Sequence, residues 1–566
     1  MADRDAAGNR GPEPQAADVL AGRTVLLLPY SHLDWAWCFS REWHEARYAT
    51  IFDEALRMAA EDPGFCLFID SLAEGFEPYL AARPEAREAW NRLVAAGRVA
   101  VVGGQYANLR PSTAPEELFI RNLEVGRQVL AELLPAARPC GYANLDTAIG
   151  HSQLPQILSL AGLTYMMVGR PEGGLLADGV PAVFRWQAAT GHAILVLIQH
   201  YGVCTSPFLR LDGADAEVWA KAAGELKERL RAQAVLPVDV VYAIVGADDT
   251  RYLRNAIDDR PCDTRRVLHD WNTRQPSRLE FATPDEFVRR LLPQVSRLAS
   301  RTGAVDQGDV GYNGPFGQNG LRELRDRTAA ALVEAELYDS LASSVSRRPR
   351  RRDPLRTAWR QALRAQTHAT QYLFSPDAEA TRFALATALQ TAVAAAESDR
   401  RRLAPRCLPQ DSALVALHNP LPWPRAGVFA VPVKRTDFAV AGWRVESADG
   451  RPLPQQPLAP PNPYRPGEWD ILVQTEAPAA GYRAVRLRPA DSAVAQRRPE
   501  PLPPSGSVQA GPLRLAWRDG LLVGLESAVA VLDGTAATSL LEPLCRPAQV
   551  RGWLTTAVEA PRPRSV

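Results

Sequence analysis

The sequence predicts a multidomain chain that is α/β first, all-α next and all-β last. Three observations carry this prediction. Between residue 22 and about 300, short aliphatic runs alternate with amphipathic stretches of helical period. Between about 318 and 400, Ala, Leu, Arg and Glu dominate, a composition of strong helix formers. From about 405, prolines become frequent and short runs alternate apolar with polar residues. At 566 residues the chain exceeds what a single core organises. The expected divisions are a disordered tail over 1–21, an α/β domain over 22–300, a helical domain over 301–404 and a β domain over 405–566.

Taken in order, TVLLLPY (24–30) reads as a buried strand, and the stretch from Tyr48 to Ala60 as a helix with Ile51, Phe52, Ala55 and Leu56 on one face. FCLFID (65–70) is strand-like, Arg83 to Ala96 helical, and VAVVGG (99–104) a strand that ends in glycines. A long helix follows from Glu116 to Leu134. LTYMMVG (163–169), AILVLIQ (193–199) and VVYAIVG (240–246) are further strands. Such β-α alternation predicts a mostly parallel sheet, closed as a barrel or open and doubly wound. RELRDRTAAALVEAELYDSLA and Ala378 to Ala395 read as helices, separated by the basic run SRRPRRRDP (346–354). VFAVPVK, WDILVQT, YRAVRLR and LRLAWRD then read as strands of a β-sandwich.

Charge and cysteine content narrow the class. A net charge of +1 gives no broad field for nucleic acid or an anionic membrane. The basic run lacks the aromatic platforms of a nucleic-acid site and reads as a solvated loop between helices. Seven cysteines, odd in number and with no C-x-x-C pair, argue against a disulfide framework and against a thiolate zinc site. The N-terminus has no apolar core, so no signal peptide is expected, and no stretch is long and apolar enough to span a bilayer. The expected location is cytoplasmic.

Four segments carry chemistry. In α/β domains ligands bind at the carboxyl ends of strands. His32 and Asp34 stand just past such an end, and residues i and i+2 in extended chain reach the same side. An imidazole and a carboxylate suit zinc; a strand-end histidine beside a helix-capping aspartate is the plainer alternative. In GYANLDTAIGHSQLPQIL, Asp146 stands among apolar residues ahead of a helix near Pro155, where a turn role is the alternative. In VVYAIVGADDTRY, Asp248 and Asp249 are adjacent carboxylates at a strand end, an arrangement that raises one pKa and suits a general acid, or else a cap and a solvated acid. In AWRQALRAQTHATQY, His368 lies on a helical stretch, where a lone histidine is most often structural.

Together these segments resemble glycoside hydrolase family 38, the zinc-dependent retaining α-mannosidases. SHLDWAW resembles the family's H-x-D-x-x-W signature, which implies His32 and Asp34 as zinc ligands and Trp37 beneath the sugar. LDTAIGHSQLPQIL resembles the nucleophile segment, which implies Asp146 as nucleophile and zinc ligand. GADDTRY resembles the G-D-D-F-R-Y loop, which implies Asp249 as acid/base, Asp248 in support, and Arg251 and Tyr252 near substrate. AQTHAT resembles the helical segment whose histidine completes the zinc site, here His368. Trp35 is a further candidate for the sugar or for the core. Weaker matches at HDWNTR (269–274), LEFATPDEF (279–287), LHNPLPWPR (417–425) and APAAGYR (477–483) extend the likeness over roughly 24–525. It implies a seven-stranded β/α barrel, a three-helix bundle and β-sandwich material, with one Zn²⁺ per chain and a carbohydrate or glycosylated small molecule as substrate.

The departures are specific. One extra residue separates Asp146 from Gly150, which threatens attack geometry. Ala369 replaces the aspartate that follows the zinc histidine, so a supporting group is absent. DVGYNGPFGQN (309–319) matches the family's H-R-G-T-Y-T-S loop only loosely. The β region is short against the family, which predicts exposed apolar surface and self-association. Two other readings stay open: a metal-dependent deacetylase or amidohydrolase on a similar barrel, which would activate water on the metal, and a catalytically degenerate carbohydrate binder or scaffold.

Overall fold

The computed structural model describes residues 18–533 apart from short internal stretches, the longest being 306–318 and 490–502. The chain divides into two compact units, 1–402 and 403–566.

In the first unit, strand β1 (Thr24–Pro29) pairs in parallel with β8 (Val240–Val245) on one side and β9 (Arg278–Phe281) on the other. β2 (Leu67–Ile69) pairs in parallel with β3 (Val99–Val101). A five-stranded sheet runs in the order β10 (Ser300–Thr302), β6 (Val183–Gln187), β7 (Ala193–Ile198), β5 (Tyr165–Val168), β4 (Gly141–Asn144). Only the β6–β7 pair is antiparallel; its partners run parallel. The described strands therefore form three small hydrogen-bonded sheets rather than one continuous ladder. One apolar cluster nevertheless collects residues from all three, including Leu26, Phe68, Ala100, Tyr165, Leu195 and Tyr242. A second cluster fills the outer face with Phe119, Tyr142, Met166 and Val196, beneath the helix Glu116–Leu133. Burial on both faces explains why β1, β5, β7 and β8 read as unbroken aliphatic runs.

Polar chemistry gathers at the carboxyl ends of these strands, where the backbone must turn. Three long helices, Asn319–Ser346, Arg352–Arg364 and Ser375–Cys407, follow the strands. The basic run between the first two is mostly exposed, as a solvated loop would be, but two of its arginines are clamped. Arg348 lies 2.9 Å from Asp339 Oδ1 and 2.7 Å from Asp399 Oδ1, and Arg351 also pairs with Asp399. Both carboxylates are almost wholly buried, so the arginines are needed to neutralise them.

Among the described residues, the strand pairs of the second unit are all antiparallel. β11 (Leu414–Asn419), β16 (Gly481–Pro489) and β13 (Trp443–Ser447) form one sheet; β12 (Arg425–Lys434), β15 (Glu468–Ala477) and β14 (Gln455–Pro457) form another. Val431, Val445, Ile471, Val473 and Val485 make their common core. A third sheet holds four strands between Gly506 and Asp533. The alternating runs at VFAVPVK, WDILVQT, YRAVRLR and LRLAWRD all fall in strands.

Candidate metal centre and active site

His32 is fixed by the ends of two strands. Its N–H donates to the Ala247 carbonyl at 3.2 Å, and its own carbonyl accepts from Asp249 N–H at 2.9 Å. The chain then turns sharply, with Ala36 at φ 62° and Cys38 at φ 59° before the helix Arg41–Glu61 begins. Left-handed backbone at non-glycine residues is unfavourable and must be held by its surroundings. Here the turn leaves Asp34 pointing inward with His32, both buried, and Trp37 half-buried.

Asp146 stands two residues beyond β4, and His368 lies in a short turn just after the helix Arg352–Arg364 rather than on it. The His368 N–H donates to the Asn108 carbonyl at 2.8 Å. Four side chains from these separate segments converge, and one ligand atom from each of His32, Asp34, Asp146 and His368 lies within 4.8 Å of the others. His32 Nε2 is 3.1 Å from His368 Nε2, 3.6 Å from Asp34 Oδ1 and 4.0 Å from Asp146 Oδ2. His368 Nε2 is 3.0 Å from Asp34 Oδ1 and 3.4 Å from Asp146 Oδ2. A tetrahedral ion bound at about 2.0–2.1 Å needs donor atoms about 3.4 Å apart. The observed spacings bracket that edge, and a His₂Asp₂ set is chemically suited to zinc.

The electrostatics have the same cause. Burial alone would raise both carboxyls. For Asp34, hydrogen bonds to His32 and His368 outweigh it, and for Asp146 those to His368 with the charges of His32 and Arg170 do, so both are held well below the usual range. In return, and against burial, the two carboxylates raise His368 to about 9.

The structure adds two groups that had no local signal in the sequence. Arg170 Nε lies 2.5 Å from Asp146 Oδ1, and the Tyr201 hydroxyl lies 3.2 Å from the same oxygen. Both residues follow strand ends, Arg170 after β5 and Tyr201 after β7, so only the strand neighbours reveal their target. Tyr201 also meets Asp248 Oδ1 at 2.5 Å, linking the nucleophile candidate to the double-aspartate loop. Burial pushes the Asp248 carboxyl up to about 6. Asp249, at φ 50°, turns toward the helix Arg41–Glu61. Its Oδ1 accepts from the Tyr48 hydroxyl at 2.7 Å and from Asp34 N–H at 3.4 Å, and its Oδ2 faces His44 Nε2 at 3.4 Å.

The other expected substrate residues are placed less directly. Trp35 is 4% exposed, with the Arg41 guanidinium 5.5 Å from its ring centre. Arg251 Nε lies 3.3 Å from Glu54 Oε2, and its Nη2 pairs with Asp259. Tyr252 is buried with its ring edge-on to Phe65. The extra residue after Asp146 does not carry its carboxylate out of the cluster; residues 148–149 lie outside the described ones, and Gly150 follows at φ 97°. Of the loop 309–319, residues 309–318 also lie outside them. Ala369 is buried, and His368 Nδ1 has no hydrogen-bond partner among the described residues.

Residues 22–307 match the sequence profile of the glycosyl hydrolases family 38 N-terminal domain. A putative mannosylglycerate hydrolase of Halalkalibacterium halodurans is 29% identical over 149 residues, 26% of this chain and 16% of that protein. An α-mannosidase from Enterococcus faecalis V583 superposes with a TM-score of 0.64 at 15% identity, over 90% of this chain and 61% of that one. A second Enterococcus faecalis structure, of a protein in glycosyl hydrolase family 38, gives 0.62 at 14% identity, over 90% and 59%. At these identities the likeness is one of fold. The chain spans less than two thirds of the length of each of these relatives. Among the described residues no helix is long and apolar enough to cross a membrane.

Proposed function

The chain belongs to glycosyl hydrolase family 38, and from that premise we propose that it cleaves a terminal α-mannosyl or related residue with retention, assisted by one zinc ion. The observation that carries this reading is the convergence of Asp146 with His32, Asp34 and His368 at the carboxyl ends of the strands. The relatives' names, α-mannosidase and putative mannosylglycerate hydrolase, favour a mannosyl substrate carrying a small or carbohydrate aglycone. The parallel strands around the shared core would be the staves of the family's seven-stranded barrel, and the three long helices its bundle.

Zinc held by His32, Asp34, Asp146 and His368 would supply Lewis-acid stabilisation and a template for vicinal sugar hydroxyls. The chain's own residues carry the bond changes. Arg170 and Tyr201 aim Asp146, whose carboxylate attacks the anomeric carbon as the bond to the leaving oxygen breaks. Asp249 gives that oxygen its proton, with Asp248 in support. Asp249 then takes a proton from water, whose oxygen attacks the same carbon and releases Asp146. Retention calls for carboxyls about 5–5.5 Å apart. Asp146 and the supporting Asp248 share the Tyr201 hydroxyl through contacts of 3.2 and 2.5 Å, which ties the double-aspartate loop to the nucleophile. Trp37, half-buried three residues after Asp34, would stack on the apolar face of the ring.

The test is zinc content together with hydrolysis of an aryl α-mannoside, for the parent and for Asp146→Asn. Zinc near one per chain, with activity lost in the variant, is expected. Full activity in Asp146→Asn would refute the nucleophile assignment. A folded parent that holds zinc but cleaves no glycoside would refute the enzymatic reading.

A further inference from the structure

Behind the four converging atoms lies a second polar layer, built from residues that no step above uses. His32 Nδ1 is 2.9 Å from the Tyr30 hydroxyl, and that hydroxyl is 2.6 Å from Asp70 Oδ2. A phenol has one proton, and a carboxylate oxygen can only accept. Tyr30 therefore donates to Asp70, and its oxygen takes the Nδ1 proton of His32. A neutral imidazole protonated at Nδ1 keeps its lone pair on Nε2, the nitrogen that faces Asp34, Asp146 and His368.

The same Asp70 oxygen accepts from Asn108 Nδ2 at 3.3 Å. The Asn108 carbonyl accepts the His368 N–H at 2.8 Å, and its N–H donates to Glu74 Oε1 at 2.6 Å. Tyr30, Asp70, Asn108 and Glu74 are each at most 2% exposed, so water does not compete for these bonds. The Tyr30 ring is also held flat against Phe68, with centroids 4.6 Å apart and planes 8° apart.

We propose that Asp70 is the positioning residue for both histidines of the metal site: through Tyr30 it selects the Nε2-ligating form of His32, and through Asn108 it pins the backbone that carries His368. This rests on the metal reading above. It also answers the absence of a carboxylate after His368, because support reaches that histidine through its main chain instead of through position 369. Outer-layer partners of this kind typically change metal affinity by about 10–100-fold.

The test measures zinc affinity of the full chain by competition with a chelating dye, and the visible spectrum of the cobalt-loaded protein. Variants are Tyr30→Phe, Asp70→Asn and their double. Tyr142→Phe is the control: Tyr142 is fully buried on β4, and its hydroxyl has no hydrogen bond among the described residues. Tyr30→Phe and Asp70→Asn are each expected to weaken zinc about 10–100-fold and to shift the cobalt bands. The double should lose no more than Asp70→Asn alone, because Tyr30 acts through Asp70 whereas Asp70 also acts through Asn108. Tyr142→Phe should bind as the parent does. Tyr30→Phe removes a single oxygen, so a circular-dichroism spectrum like the parent's is expected and keeps the comparison valid if Asp70→Asn misfolds. Zinc affinity within twofold of the parent in Tyr30→Phe, with unshifted cobalt bands, would overturn the proposal alone. A folded parent with no zinc affinity would overturn both this proposal and the metal reading beneath it.

Discussion

Among single residues, the two aspartates of the GADDTRY loop have different surroundings, and this makes their roles separable. Asp249 faces Tyr48, His44 and the Asp34 N–H, whereas Asp248 is bonded to Tyr201 and raised to about 6 by burial. If Asp249 is the acid/base, Asp249→Ala slows cleavage of poor leaving groups by about 10²–10⁴-fold. It should slow good leaving groups far less, and azide should restore its turnover. The same pattern in Asp248→Ala, and not in Asp249→Ala, would exchange the two roles. The histidines give a pH prediction with a definite sign. With no metal, His368 titrates near 9, above its ordinary 6.5, because Asp34 and Asp146 favour its charged form against burial. Its contribution to metal-free stability is therefore full below about 6.5 and is lost as pH rises through about 9. Zinc must displace that proton, so its apparent affinity climbs about tenfold per pH unit for each proton released, up to about pH 9. Calorimetry in buffers of different ionisation enthalpy at pH 7.5 should detect at least one proton released per zinc. His32, Asp34, Asp146 and His368 were legible in the sequence through the resemblance of their four segments to the family's motifs; taken singly, each left a structural alternative open. Arg170, Tyr201, Tyr30, Asp70 and Asn108 were not, because their partners come from other strand ends and no local pattern encodes which strands are neighbours.

At the scale of elements, the strand ends are packed so closely that glycine is required where they meet. A Cβ on Gly246 would lie 2.2 Å from the Tyr30 carbonyl oxygen, and one on Gly169 would lie 1.9 Å from that of Leu145. Neither contact can be relieved by a side-chain rotation, because backbone is struck in both cases. Gly246 holds the turn after β8 against the turn that carries His32, and Gly169 holds the turn after β5 against the one that carries Asp146. Gly246→Ala is expected to destabilise the first unit by about 1–3 kcal/mol or more and to weaken zinc binding as well. Denaturant unfolding measured with and without chelator separates the two effects; an unchanged midpoint would mean that the close approach has no energetic consequence. Long aliphatic strands such as β1, β7 and β8 were evident from the sequence. β4, β6, β9 and β10 were not: GYAN, RLEF and SRT carry no aliphatic run, and VFRWQ exposes Arg185 within its alternation. The π-helical turn Leu72–Phe76, which brings Glu74 to Asn108, follows no sequence period that could have announced it.

For the whole molecule, the four ligands are drawn from positions 32, 34, 146 and 368, so one ion would close chain loops of more than a hundred residues within the first unit. A ligand that binds only the folded state stabilises it by mass action, about 4 kcal/mol at a thousandfold excess over Kd. Chelation should therefore lower the thermal midpoint of that unit by about 5–10 °C, and readdition of zinc should restore it. A midpoint indifferent to chelator would count against a resident ion. The order α/β, then helices, then antiparallel β was readable from composition and period alone. The division into three hydrogen-bonded sheets around one core was not, because pairing between distant strands is a property of the folded chain. Asp146 as nucleophile is tested by mass spectrometry of the full chain after reaction with a 2-deoxy-2-fluoro or 5-fluoro α-mannosyl fluoride, followed by peptide mapping. A single glycosyl adduct is expected on the peptide that contains Asp146, with little or none formed after zinc is stripped. Turnover with no adduct, or an adduct on another carboxylate, would contradict it.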